Sequence, residues 1–168
     1  KLNIVPVMLS DADTKLGGVE TFSDAQKCAS LFKEHEASIE GILVVLPNFG
    51  DEKGVAETIQ WSGLKVPVLV QAYPDDLDKM DVVNRRDAWC GKISVCNNLY
   101  QFGIKYTLTS QHVCALNNPI FEKDLLEFTS VCKVVTGLKN LRIGAIGARP
   151  TAFNTVRYSE KILQRNGI

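Results

Sequence analysis

A continuous apolar run, Gly41-Ile-Leu-Val-Val-Leu46, gives way abruptly to the polar turn Pro47-Asn-Phe-Gly-Asp-Glu52. Continuous rather than alternating apolarity is typical of a strand buried on both faces, as in a parallel sheet that helices cover. Similar runs occur elsewhere in the chain, and together with the first they predict about five strands. The other runs are Leu2–Leu9, Val66–Val70, the weaker Lys105–Leu108 and Leu141–Ile146.

Helical patterns fall between these runs. Thr21 and Asp24 have the spacing of a capping box, which predicts the start of a helix there. Asn118 followed by Pro119 is a second helix start. The remaining helices are predicted at Asp51–Trp61, Lys92–Phe102 and Ala152–Gln164. The alternation of strands and helices predicts an α/β fold, a doubly wound three-layer sandwich of the Rossmann or flavodoxin type.

The length of 168 residues suits one compact domain and part of another. We expect residues 1–138 to form an N-terminal α/β domain that recognises substrate. Residues 139–168 are expected to be the first βα unit of a second, truncated domain that packs on the first. The segment ending in Arg165-Asn-Gly-Ile168 resembles a turn into another strand, so the sequence predicts a fragment of a longer protein.

Composition excludes several functional classes. Nineteen Lys and Arg residues balance nineteen Asp and Glu residues, so the basic excess typical of a nucleic-acid binder is missing. The apolar runs are too short for a membrane span, so neither nucleic acid nor membrane is expected as a partner. The five cysteines have no Cys-x-x-Cys spacing, which favours free thiols in a reducing cytoplasm.

Sites for ligands are expected at the carboxyl ends of the strands. Asp11 and Asp13 follow the first run, Phe49 follows the second, and Asp75 follows the third. Any single acid there is equally consistent with a helix cap or a solvated loop. His112 is the better functional candidate of the two histidines, with a structural role as the alternative.

Two clusters carry arginines close to helix starts, where they oppose the helix dipole. They are Asn84–Lys92, which contains Arg86, and Gly147–Arg157, which contains Arg149 and Thr151. A guanidinium offers a fork of donors that suits an anion or a polyhydroxyl ligand. Surface ion pairing with adjacent acids is the alternative.

Motifs for nucleotide and hydrolase chemistry are missing. Gly144-Ala-Ile-Gly147 lacks the Gly-x-Gly-x-x-Gly fingerprint, and no Walker motif or Gly-x-Ser-x-Gly elbow occurs. No metal-ligand spacing involves His35 or His112. We therefore predict no catalytic residue and no metal ligand in this chain.

At these loops the sequence resembles the L-fucose/L-arabinose isomerase-like family of sugar isomerases, in its N-terminal region. The resemblance is carried by Pro47–Glu52, Arg85–Gly91 and Leu138–Pro150, continuing to Tyr158. It implies a cytoplasmic aldose–ketose isomerase of three domains that depends on Mn²⁺ and assembles as a trimer or hexamer. The metal ligands of that family lie in later parts of the chain.

The resemblance also implies a small-molecule sugar as the ligand of this region and contacts with other copies of the same protein. The residues expected to approach the sugar are Asp11, Asp13, Phe49, Arg86, Arg149 and Thr151. The main alternative is a non-catalytic sugar-binding or sensor module, and a flavodoxin-like electron carrier is a third.

Overall fold

A computed structural model describes residues 4–139, 141–144, 146–147, 152 and 158–168. Within these residues the chain is a mixed α/β structure with three strands and five α-helices. The strands are β1 (Ile42–Leu46), β2 (Val68–Ala72) and β3 (Thr107–Leu108). The helices are α1 (Phe22–Glu34), α2 (Gly54–Ser62), α3 (Ala88–Gln101), α4 (Pro119–Lys139) and α5 (Glu160–Arg165), with 3₁₀ turns at Lys15–Gly17 and Glu36–Ser38.

The three strands form a parallel sheet in the order β1-β2-β3. Ile42 pairs with Val68 and Leu46 with Ala72, so β1 and β2 are aligned over their full length. The short β3 pairs with β2 through Leu69 and Thr107. Parallel strands end at the same edge, so the loops that follow β1, β2 and β3 lie together.

The sheet has apolar contacts on both faces. Val70 belongs to a buried cluster with Val95 and Leu99 of α3. Leu69 belongs to another cluster, with Phe128 and Cys132 of α4. Successive residues of a strand point to opposite faces, and β2 is buried on both of them. Leu43 and Val45 of β1 are 38% and 39% exposed, so the expectation that β1 is buried on both faces is wrong: α4 does not cover this edge strand as it covers β2.

The predicted cap of α1 is confirmed. The Thr21 hydroxyl oxygen accepts the N–H of Asp24 at 3.2 Å, and the Asp24 carboxylate accepts the N–H of Thr21 at 3.0 Å. This reciprocal pair satisfies two N–H groups that a helix start leaves free. The helix then packs on α2, where Phe22 and Trp61 make an edge-on ring contact at 4.6 Å.

Two predicted strands differ in the structure. Residues 4–9 and the described residues of Leu141–Ile146 are not in strands, and Ile4, Val5 and Met8 are exposed. A strand requires a neighbour for its backbone N–H and C=O groups, and these segments pair with no described strand. The last helix is also shorter than predicted, Glu160–Arg165 in place of Ala152–Gln164; residues 153–157 lie outside the described part.

Candidate functional site

Two loops meet at the carboxyl edge of the sheet. Residues 47–53 follow β1, and residues 73–87 follow β2. The Phe49 N–H donates to the Arg86 carbonyl oxygen at 2.9 Å, and the Tyr73 N–H donates to the Leu46 carbonyl oxygen at 2.9 Å. Two of the predicted sugar-facing residues, Phe49 and Arg86, are therefore brought together.

Asp75 holds the second loop closed. Its Oδ1 accepts the backbone N–H of Arg86 at 2.9 Å and that of Asp87 at 3.1 Å. Of the two alternatives for Asp75, the helix cap is wrong, because residues 73–87 form a loop. Asp87 itself has a φ of 55°, an unfavourable backbone conformation for a residue with a side chain.

The Arg86 guanidinium has a defined position at this edge. Its central carbon lies 5.6 Å from the centroid of the Tyr73 ring, and Nη1 donates to the Pro47 carbonyl oxygen at 3.4 Å. The residue is exposed. A guanidinium has five N–H donors, so this contact leaves several of them for a ligand. The neighbouring Arg85 forms an ion pair with Asp87 at 3.4 Å instead.

The loop after β1 is pressed against α3. A Cβ atom added to Gly91 would lie 2.4 Å from the Phe49 carbonyl oxygen and 2.8 Å from its Cα. Only glycine permits so close an approach of two backbones. The glycine in the Trp89-Cys90-Gly91 motif therefore places the Phe49 loop.

The loop that contains Asp11 and Asp13, before α1, differs from the two loops at the sheet edge. The Asp13 Oδ2 accepts the N–H and the hydroxyl of Ser10 at 2.8 and 2.7 Å, and these bonds hold the pKa of the Asp13 carboxyl below its usual range. Asp13 is therefore occupied by its own turn. Asp11 is exposed in the same turn, and no hydrogen bond between described residues links either acid to Phe49 or Arg86.

A shallow groove of about 420 Å³ runs between the loop that contains Asp13 and helix α1. Asp13 and Lys27 line it, and the Lys27 ammonium donates to the Asp13 carbonyl oxygen at 2.9 Å. Phe49 and Arg86 do not line this groove. We therefore centre the candidate site on the two loops at the sheet edge and not on the groove.

The remaining candidates fall into two groups. Arg149 and Thr151 lie outside the described residues, so their predicted role stays a prediction. His112 lies in the loop after β3 with its ring centroid 4.4 Å from that of Trp89.

Sequence reasoning missed Lys92, whose side chain is buried beside the His112 loop. A signal was present, because Lys92, Val95, Cys96 and Leu99 follow the spacing of one buried helix face.

The thiols are unpaired. All five cysteines are free, and Cys28, Cys114 and Cys132 are buried. Burial raises the pKa of Cys28 to about 11, so this thiol stays protonated and unreactive at neutral pH. Cys90 is exposed beside Trp89.

No group of three His, Cys, Asp or Glu side chains in the described part of the chain is arranged to hold a metal ion. None of the described helices is both long enough and apolar enough to cross a bilayer.

The family model for the fucose/sulfoquinovose isomerase N-terminal domain matches residues 1–139. The chain belongs to this family. The match includes β1, β2, β3 and α4, and it therefore contains both loops of the candidate site. No curated protein and no solved structure matches the chain significantly.

Membership in the fucose/sulfoquinovose isomerase N-terminal domain family places the chain in a sugar isomerase context and confirms the resemblance expected from the loops. The family match covers Phe49, Arg86 and Gly91 but ends before Arg149 and Thr151.

Proposed function

We propose that this chain is the substrate-recognition region of an aldose–ketose isomerase whose reaction centre lies elsewhere in the full-length protein. The family match over residues 1–139 carries the proposal. The loop geometry supports it, because the exposed Arg86 guanidinium lies over the Tyr73 ring, and the Arg86 backbone is bonded to that of Phe49, at the edge where α/β sheets bind ligands.

The chemistry supports a division of labour between parts of the protein. Transfer of hydrogen between adjacent carbons of a sugar uses a base–acid pair and, in a metal-dependent isomerase, a Lewis acid on the two oxygens. Recognition of the other hydroxyls needs donors, acceptors and an apolar platform. The described residues offer the second set and no metal-binding cluster, so we propose that Mn²⁺ is held by later residues.

We further propose that the sheet of the whole protein is doubly wound and has about five strands. The exposed apolar side chains of Ile4, Val5 and Met8, and of Ile143 and Ile146, support this proposal. Open strand edges are usually covered or paired. The two apolar segments would extend the sheet, with a domain boundary near residue 138, close to the end of the family match at residue 139.

Two further aspects are proposals of the same kind. We propose that the full-length protein assembles from several copies, as a trimer or hexamer, through contacts that include this region. We also propose a cytoplasmic location, which the five free thiols support.

Turnover by the full-length protein tests the proposed function. The protein is incubated with Mn²⁺ and, in separate reactions, L-fucose, L-arabinose, D-arabinose and sulfoquinovose, and ketose formation is followed by NMR. We expect turnover of at least one aldose that a chelator abolishes, and no turnover by residues 1–168 alone. Sugar binding without turnover in any reaction would favour the sensor module, and turnover by residues 1–168 would show that the reaction centre lies here.

A further inference from the structure

An aromatic pair open to solvent stands beside the candidate site. Trp89 lies in the first turn of α3, and His112 lies in the loop after β3. Their ring centroids are 4.4 Å apart with the planes tilted by 52°. Trp89 is 40% exposed, and His112 is also exposed.

A buried lysine fixes the loop that carries His112. Lys92 is only 3% exposed, and its ammonium donates to the Thr109 hydroxyl oxygen and the His112 carbonyl oxygen, both at 2.9 Å. Burial lowers the pKa of Lys92, which reflects the cost of removing an ammonium group from water. No carboxylate forms an ion pair with this lysine within the described residues.

Two more buried polar side chains hold the same loop. The Asp124 carboxylate accepts the backbone N–H of Ser110 at 2.8 Å and also its hydroxyl. The Gln71 amide, in the middle of β2, donates to the Cys114 carbonyl oxygen. Gln71 is fully buried, and its own carbonyl oxygen has no partner among the described residues.

Three buried polar side chains are therefore hydrogen-bonded to a loop whose tip stays in solvent. Buried polar and charged groups are unfavourable unless they gain much in return. Gln111 and His112, at the tip of the loop, are nevertheless exposed. Lys92, Asp124 and Gln71 together fix the position of His112 against Trp89. Rigid support of exposed side chains is typical of binding sites.

We propose that Trp89 and His112 form a platform for the ring of the sugar, and that Lys92 is the positioning residue of this platform. The proposal rests on the proposed function and extends its site. The apolar C–H face of a pyranose packs on an aromatic face, and an imidazole nitrogen exchanges hydrogen bonds with a hydroxyl group. The platform is joined to the rest of the site through α3, since Gly91, two residues after Trp89, contacts the Phe49 loop.

Kinetics of the full-length protein with the aldose that it turns over test the platform. We expect Trp89→Ala and His112→Ala to raise KM by about tenfold, the loss of one good contact, with kcat within about twofold of wild type. Trp89→Phe should keep most of the affinity. Tyr100→Ala is the control, because Tyr100 is an exposed aromatic residue of the same helix outside the site.

Fluorescence provides a second measurement that does not depend on turnover. The chain contains two tryptophans, Trp61 and Trp89, so Trp61→Phe leaves Trp89 as the only tryptophan within residues 1–168. In the full-length protein, the change in emission upon addition of the same sugars is measured in variants with and without Trp89. The difference between the two changes is the response of Trp89. We expect sugar to change the emission of Trp89 and Lys92→Met to weaken this response with far-UV circular dichroism unchanged.

The outcomes separate the two proposals. Turnover with unchanged KM in both the Trp89 and the His112 variants would overturn the platform and leave the proposed function standing. Sugar-dependent emission from Trp89 without turnover would support the platform and contradict the isomerase. A wild-type fluorescence response in Lys92→Met would overturn the positioning role of Lys92.

Discussion

The carbonyl oxygen of Phe49 lies where a side chain on Gly91 would begin, 2.4 Å from the position of a Cβ atom there. The contact joins the loop after β1 to the first turns of α3. Because both partners are backbone, neither can move without shifting its own element. The contact therefore sets the position of the Phe49 loop relative to α3.

Gly91→Ala tests this contact. We expect the substitution to lower the free energy of unfolding by about 1–3 kcal/mol, since overpacking forces the backbone to shift. The measurement is urea or thermal unfolding of the protein. Gly137→Ala is the matched control: Gly137 is also in a helix, α4, but a Cβ there meets nothing within 4 Å.

The control should be neutral or stabilise the protein by up to about 1 kcal/mol, because alanine favours a helix over glycine. Equal effects at positions 91 and 137 would contradict the assigned contact.

Asp75 supports a second prediction, for the loop after β2. Asp75→Ala removes the acceptor of the Arg86 and Asp87 N–H groups, and we expect a loss of about 1–3 kcal/mol in unfolding free energy. Asp76→Ala is the control, since within the described residues the Asp76 side chain makes an exposed ion pair with Lys79 at 3.7 Å and an exposed bond to the Asp78 N–H.

Asp76→Ala should change the unfolding free energy by no more than about 0.5 kcal/mol. If Asp75→Ala is as mild as this control, the bridge from Asp75 to Arg86 does not stabilise the loop.

The dependence of the unfolding free energy on pH in the acidic range gives a third prediction. The Thr21 hydroxyl and backbone N–H groups hold the pKa of Asp24 below its ordinary value of 3.8. A depressed folded-state pKa adds stability above pH 3.8, and this stability is lost as the pH falls through the lower folded-state value. We expect the stability gap between the wild type and Asp24→Asn to close between about pH 5 and pH 2.

The measurement is chemical unfolding of both proteins at several pH values. A gap that stays constant across this range would show that the charge of Asp24 does not contribute to the α1 cap.

Sequence patterns predicted those strands and helices that are marked by residues close together in the chain. β1 is a continuous apolar run, β2 is apolar apart from Gln71, and the start of α1 is marked by Thr21 and Asp24. Leu2–Leu9 has an equally apolar run, but strand formation depends on a pairing partner that composition does not reveal.

Sequence patterns selected only some residues of the candidate site, for the same reason. Phe49 and Arg86 were located because strand ends and helix starts are visible in the sequence. The bridge from Asp75 spans 11 and 12 residues, and no short spacing rule detects a contact of that length. Lys92 was missed because a lysine is normally assigned to a solvated helix face.

Arg86 carries the last prediction, which concerns sugar use by the full-length protein. Its guanidinium is exposed and fixed by Tyr73 and the Pro47 carbonyl oxygen. We expect Arg86→Ala to raise KM for the aldose by about tenfold or more, the value of a hydrogen bond from a charged group. Arg86→Lys should recover only part of the affinity, because an ammonium lacks the planar fork.

Arg85→Ala is the matched control, since Arg85 is the adjacent arginine and pairs with Asp87 at the surface. The free energy of unfolding should change by no more than about 0.5 kcal/mol in Arg86→Ala, as for other surface substitutions. Steady-state kinetics and urea unfolding of the same preparations separate the two effects. A large loss of stability with unchanged KM would identify Arg86 as a structural residue of the loop, because its contact with Pro47 would then be its main contribution.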